Sequence, residues 1–125
     1  MTGLTYDSGA LIGADHGDPR IWALHRRALE RGVTPTIPAA VIVECFRGTA
    51  QAARLTAGCY VEPLGEQAAR AAGMLLGGAR NRVEVTDATV VEGALRRGDA
   101  VVTSDRTDLV AVADAAGRRL AIIDV

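Results

Sequence analysis

Ala100-Val101-Val102-Thr103-Ser104-Asp105-Arg106-Thr107-Asp108-Leu109 is the stretch from which the fold can be read. Its first four residues form a short, mostly β-branched apolar run that predicts a strand over Ala100–Thr103. A helical pattern follows over Leu109–Ala116, and a second apolar run predicts a strand at Ala121–Ile123. A strand, a helix and another strand in that order imply a parallel pair. Short strands covered by helices on both faces should read as continuous apolar runs, as Ala100–Val102 and Ala121–Ile123 do. Working outward, further strands are expected at Leu4–Tyr6, Thr36–Ile37 and Tyr60–Leu64. Helices are expected near Ala10–Ala14, Pro19–Arg31, Ala39–Arg47, Ala50–Ala57, Glu66–Gly77 and Ala88–Arg97. The alternation predicts an α/β domain with a central parallel sheet of four to five short strands.

Length and composition bound what such a domain does. The chain has 125 residues, of which 49% are hydrophobic. That suits one domain over 1–125 with a real core. Fifteen acids oppose fourteen bases, and all fourteen bases are Arg. A net charge of −1 argues against a general coat for polyanions. The absence of Lys excludes chemistry through a Schiff-base or P-loop lysine. Cys45 and Cys59 are too few and too scattered for a disulfide framework or zinc knuckle, and read as small core or interface residues. No run approaches the roughly 20 apolar residues of a membrane span, and the opening MTGLTYDSGA lacks a signal-peptide pattern. A soluble, cytoplasmic protein is expected.

The helix over Pro19–Arg31 shows its faces. Ile21, Leu24, Ala28 and Leu29 recur at helical spacing and should face the core. Arg20, Arg27 and Arg31 share another face, with Arg26 nearby. They read either as a solvated surface or as contacts to phosphate. Trp22 reads as half-buried packing. His16 and His25 make no metal-ligand spacing with any Cys or acid.

In a parallel sheet, ligands gather at the carboxyl ends of the strands. Asp7 directly follows the first predicted strand and Asp105 follows the strand ending at Thr103. Asp87 opens the helix Ala88–Arg97 after Val83-Glu84-Val85, and Glu44 lies within Val41-Ile42-Val43-Glu44-Cys45-Phe46. Asp7, Asp87 and Asp105 each have a plain alternative role as helix N-caps. Glu44 does not, because apolar residues flank it in mid-helix. A buried carboxylate there would need a partner, and only Arg47 is close in sequence. A divalent cation held by crowded oxygen ligands would resolve the conflict. A Glu44 carboxyl group facing bulk solvent, or lying more than about a nanometre from the other three acids, would overturn the metal-site expectation. Asp99 begins a strand and belongs at the opposite edge, and Asp108 lies one turn past Asp105.

These segments resemble those of the PIN-domain family. Leu4-Thr5-Tyr6-Asp7-Ser8-Gly9-Ala10-Leu11-Ile12 is similar to the family's opening strand and first acid. Pro38-Ala39-Ala40-Val41-Ile42-Val43-Glu44 resembles the helix carrying its glutamate. Thr86-Asp87-Ala88 resembles the third acidic segment, and Val101-Val102-Thr103-Ser104-Asp105-Arg106-Thr107-Asp108-Leu109 the fourth. The length resembles VapC-like toxins of type II toxin–antitoxin modules. The resemblance implies a three-layer α/β/α PIN-like domain with Asp7, Glu44, Asp87 and Asp105 as an acidic catalytic quartet around Mg²⁺, which Mn²⁺ can replace. Asp7 and Asp105 would bind directly, while Glu44 and Asp87 would hold water or a second ion. It also implies metal-dependent hydrolysis of RNA, a VapB-like antitoxin partner and a homodimer. The family often has a hydroxyl two residues after the first acid, where this chain has Gly9 beside Ser8. Leu109 stands where the family commonly has an aromatic. Thr103 keeps a small hydroxyl residue.

Two other readings compete. A phosphoacceptor receiver domain has similar length and order, but it uses paired acids on the first strand and a lysine on the last, and this chain has neither. A non-catalytic PIN-like interaction or regulatory module would keep the fold without the chemistry.

Overall fold

Five short strands form one parallel sheet, with seven helices around them among the described residues. The structure, a computed structural model, describes residues 2–80 and 83–125. In chain order the elements are β1 (Leu4–Tyr6), α1 (Ser8–Asp15), α2 (Pro19–Glu30), β2 (Thr36–Pro38), α3 (Ala39–Cys45) and α4 (Ala50–Ala57). There follow β3 (Tyr60–Glu62), α5 (Glu66–Gly78), α6 (Val85–Arg97), β4 (Ala100–Thr103), α7 (Thr107–Ala115) and β5 (Ala121–Asp124). The α/β class, the parallel sheet and its five strands are as the sequence predicts. No helix among the described residues is long and apolar enough to cross a membrane.

β4 is buried at all four positions, as its apolar run requires. It pairs with β1 through Leu4–Ala100, Thr5–Val101 and Tyr6–Val102. Tyr6, Leu11, Ile37, Leu55, Val90, Val101 and Val112 are completely buried in one core. Each such side chain contributes roughly 2 kcal/mol of transfer free energy. α1 packs against α2, α3 and α4, while α6 packs against α3, α5 and α7.

Helix ends follow local chemistry. Asp18 caps α2 by accepting the Arg20 N–H at 2.9 Å, and Pro19 begins the helix where its missing N–H costs nothing. Gly98 ends α6 at φ +72°, a left-handed conformation that suits glycine, and the Asp99 N–H returns to Ala94 O at 2.9 Å.

The structure corrects two expectations, the cover of β5 and the buried face of α2, and ends β3 at Glu62 rather than Leu64. β5 is an edge strand and half-covered, with Ala121 exposed, although its apolar run suggested full cover. β3, the other edge, exposes Tyr60 and Val61. On α2 the buried set is Ile21, His25 and Ala28, whereas Leu29 is 43% exposed. His25 takes the place because its Nδ1 and the Tyr6 hydroxyl meet at 2.9 Å, which satisfies both buried polar groups. Trp22 is half-buried as expected, with Nε1 donating to Ala14 O at 2.9 Å. Both cysteines are half-buried, and burial pushes the Cys59 thiol up to about 12.

Asp99 lies at the amino edge, as its place before β4 implies. It accepts from the Thr5 hydroxyl at 2.8 Å and from Arg97 Nε at 2.9 Å. Arg97 Nη1 also lies 2.9 Å from Glu62 Oε1, an ion pair without the alignment of a hydrogen bond.

Candidate functional site

The chain builds the sheet outward from β1 in two directions, first to β2 and β3 and later to β4 and β5. The connections therefore part between β1 and β4, and such a switch point leaves a crevice at the carboxyl edge. Asp7 follows β1 immediately, and Asp105 lies two residues past β4.

Asp7 is only 7% exposed. Its Oδ1 accepts the Ala10 N–H at 3.1 Å, so it does cap α1. Capping does not account for its environment. Burial raises its pKa, and the Glu44 charge adds to the rise. The Thr103 hydroxyl and the Ala10 and Gly9 amides oppose it. Gly9 is required here by space. A β-carbon on it would collide with the Ser104 hydroxyl and lie 3.1 Å from Ser104 N and 3.3 Å from Asp7 Oδ1. Lacking one, residue 9 lets the segment after β4 rest on the first turn of α1.

Asp87 is not the cap of its helix. α6 begins at Val85 with Glu84 at the N-cap, so Asp87 sits inside the first turn, where the helix dipole favours an anion. Despite this, its carboxyl is pushed up to about 6. Burial is the main cause, followed by the charges of Asp108, Asp7, Glu44 and Glu84. Those influences place Asp7, Glu44, Asp87 and Asp108 in one electrostatic neighbourhood.

Glu44 belongs to that neighbourhood for a different reason than the sequence suggested. α3 ends at Cys45, so Glu44 lies in its last turn and is exposed, as is Val43 beside it at 80%. With Glu44 exposed, the metal-site expectation that rested on a buried, partnerless glutamate is overturned, and any case for a cation has to stand on the charges alone. Arg47 is turned to the backbone, donating to the carbonyls of Val43, Glu44 and Phe46. What remains for Glu44 is its charge beside Asp7 and Asp87.

Asp105 is exposed, and its Oδ1 accepts the Thr107 N–H at 3.2 Å at the start of α7. Its backbone N–H and carbonyl both bond the Thr103 hydroxyl, at 3.0 and 3.1 Å. In this arrangement Asp105 secures its own loop, and Asp108 is the acid of this segment whose charge raises Asp87. The signal for Asp108 was its one-turn offset from Asp105.

None of these five carboxylates forms an ion pair among the described residues. Nor does any group of three or more His, Cys, Asp or Glu among them stand close enough to hold a metal ion. The donors fit a small hard cation in kind, being clustered carboxylates that resist ionising together. They are not drawn into coordination distance in this arrangement. Arg27 and Arg31 are far from the acids. They line a recess with Leu4 and Ala100, the first residues of β1 and β4, at the opposite edge.

No family model matches the chain, and no curated protein matches it. Solved structures do. A toxin–antitoxin complex from Klebsiella pneumoniae matches at 18% identity with a TM-score of 0.64, over 86% of this chain and 89% of that one. VapBC2 from Rickettsia felis, bound to a DNA fragment from its promoter, matches at 12% and 0.66 over 97% of both. The fold is PIN-like. PAE2754 from Pyrobaculum aerophilum matches at 17% and 0.60, over 97% of this chain and 83% of that one. At such identities the PIN-like likeness concerns architecture, and the site must be argued from its own residues.

Proposed function

We propose that this chain is a metal-dependent ribonuclease that hydrolyses RNA phosphodiester bonds as the toxin of a VapBC-type toxin–antitoxin module. The observation that carries this reading is the set of mutually repelling carboxylates at the switch point, with Asp87 pushed up to about 6 and no cation paired with any of them among the described residues. Folding gathers such charge only at a cost, and a polyvalent cation offsets it.

Asp7, held rigidly by the α1 amides, would bind Mg²⁺ or Mn²⁺ directly. Asp87, Glu44 and Asp108 would complete the anionic wall. Asp105 would join it by turning from the Thr107 amide, a modest local rearrangement of an exposed side chain. When bound, the ion would polarise a phosphoryl oxygen and make a coordinated water more acidic. The rigid edges of β1 and β4 hold Asp7 and the Thr103–Asp105 turn in fixed relation, which limits the motion needed to reach a reactive geometry. An antitoxin would silence the site most directly by placing an Arg against these carboxylates. Exposed Val43, Met74 and Val85 are candidates for the surface that a second copy would cover in a homodimer.

Purified protein incubated with RNA should cleave it with Mg²⁺ or Mn²⁺ and lose that activity with EDTA or with Asp7→Asn. Cleavage surviving both changes would overturn the proposal. The absence of a tightly gathered ligand set favours one rival, a PIN-like interaction module without catalysis. Metal titration separates the two. The ribonuclease should gain Mn²⁺-dependent thermal stability that Asp7→Asn lacks, and the module should gain none.

A further inference from the structure

An RNA chain approaching the carboxyl edge meets a negative field from Asp7, Glu44, Asp87, Asp105 and Asp108. Its entry needs positive charge on the flank. Five of the fourteen arginines are committed elsewhere. Arg20, Arg70, Arg96 and Arg97 pair with acids, and Arg47 binds carbonyls. Arg27 and Arg31 line a separate recess, beside the first residues of β1 and β4 and away from α7.

One open groove of about 600 Å³ runs along α7 and the uncovered side of β5, lined by Arg106, Arg118, Arg119, Asp114 and Ile122 among others. Arg106, at one end of the groove, directly follows Asp105 in the chain, and none of the five acids lines the groove itself. Its tie to Asp124, at 3.2 Å, is between groups more than half exposed, and an exposed pair of this kind exchanges readily. Arg118 and Arg119 have no acid partner among the described residues. The turn through Gly117 (φ +68°), with the Arg118 N–H on Ala113 O at 2.9 Å, fixes them at the far end of α7, just before β5 and so at the amino edge of the sheet. The nine residues of α7 span ~13 Å, so the three guanidinium groups mark out a track rather than a point. Asp114 is the acid that interrupts it.

Resting on the ribonuclease reading of the acidic site, we propose that this α7–β5 groove is the track along which a single-stranded RNA lays its phosphates on leaving that site. Arg118 and Arg119 bind backbone phosphate without reading bases.

The test uses the Asp7→Asn chain with Mg²⁺ and a fluorescent single-stranded RNA 12-mer, with binding followed by anisotropy from 50 to 200 mM salt. Each phosphate contact to a single strand contributes about 0.7 to the log–log salt slope. Adding Arg118→Gln and Arg119→Gln should flatten the slope by about 1.4, reducing the affinity lost across that range by about sevenfold. Arg27→Gln with Arg31→Gln should leave it unchanged. An unchanged slope for the first pair, an equal change for the second, or no RNA binding at 50 mM salt overturns the track. So does weakened binding to a polyglutamate peptide with RNA binding intact. If the unsubstituted chain fails to cleave RNA while the slope falls as stated, the ribonuclease reading fails and the track stands. If the chain cleaves RNA and the slope does not change, the ribonuclease reading stands and the track fails.

Discussion

Asp87→Asn should make the metal-free protein more stable at neutral pH. A carboxyl raised from its ordinary value of 3.8 to about 6 corresponds to about 3 kcal/mol of disfavoured ionisation. Asp87 is half-buried, so solvent screening reduces the realistic gain to ~1 kcal/mol. For a domain of this size that is roughly 4 °C in Tm. Asparagine keeps the shape and removes the charge that Asp108, Asp7 and Glu44 repel. The pH dependence gives the sign. Because the folded-state pKa is the higher one, the folded chain binds more protons between about 4 and 6. The unsubstituted protein therefore gains stability, relative to the variant, as pH falls through about 6. The assay is thermal and urea unfolding of both chains in EDTA at pH 7.5 and pH 4.5. A variant that melts lower at pH 7.5, or a gap that does not shrink at pH 4.5, would refute the electrostatic reasoning.

Burial lowers the His25 pKa, so its contribution is fully present above about 6.5 and is lost as pH falls through the depressed value. His25→Gln should flatten that part of the urea-unfolding profile, at some cost in stability near pH 7.5. Gly9→Ala should cost about 1–3 kcal/mol, because the added carbon meets Ser104. Gly9→Ala with Ser104→Gly should recover part of that in the same melts. Asp99→Ala strips the Thr5 hydroxyl and Arg97 Nε of their shared partner and should cost about 3 kcal/mol. A loss below 1 kcal/mol would show that Glu62 and the Thr5 hydroxyl hold Arg97 without Asp99.

Periodicity made the elements legible, and tertiary contacts set their limits. Leu4–Tyr6, Ala100–Thr103 and Ala50–Ala57 stand in the structure with the boundaries the sequence implies. α6 begins three residues earlier than Ala88, because Glu84 takes the N-cap and leaves Asp87 free to face the other acids. Strand order was not written locally. Which apolar run becomes an edge depends on the crossovers, and β5 could not be told from an interior strand by composition. At the site, the carboxyl-edge rule found Asp7 and the segment carrying Asp105 and Asp108. It could not say which of those two acids acts on Asp87, since Asp105 is engaged by the amide at Thr107. Glu44 reads as buried in the sequence and is exposed in the fold. Its apolar neighbours imply a core position only if α3 continues to Arg47, and α3 stops at Cys45. The contact of Gly9 with Ser104 joins positions far apart in sequence and left no local trace.

The outermost ribbon at Tyr60–Glu62 has a bearing on how the protein fares in a crowded solution. An open sheet margin invites a neighbouring polypeptide to add itself and seed a fibre. Here the margin is three residues long, ends in an acid, and is followed at once by Pro63, which has no amide hydrogen to offer. A stray chain finds only a short grip there, so two bare aromatic and aliphatic side chains can stay in water without becoming a nucleus for precipitation.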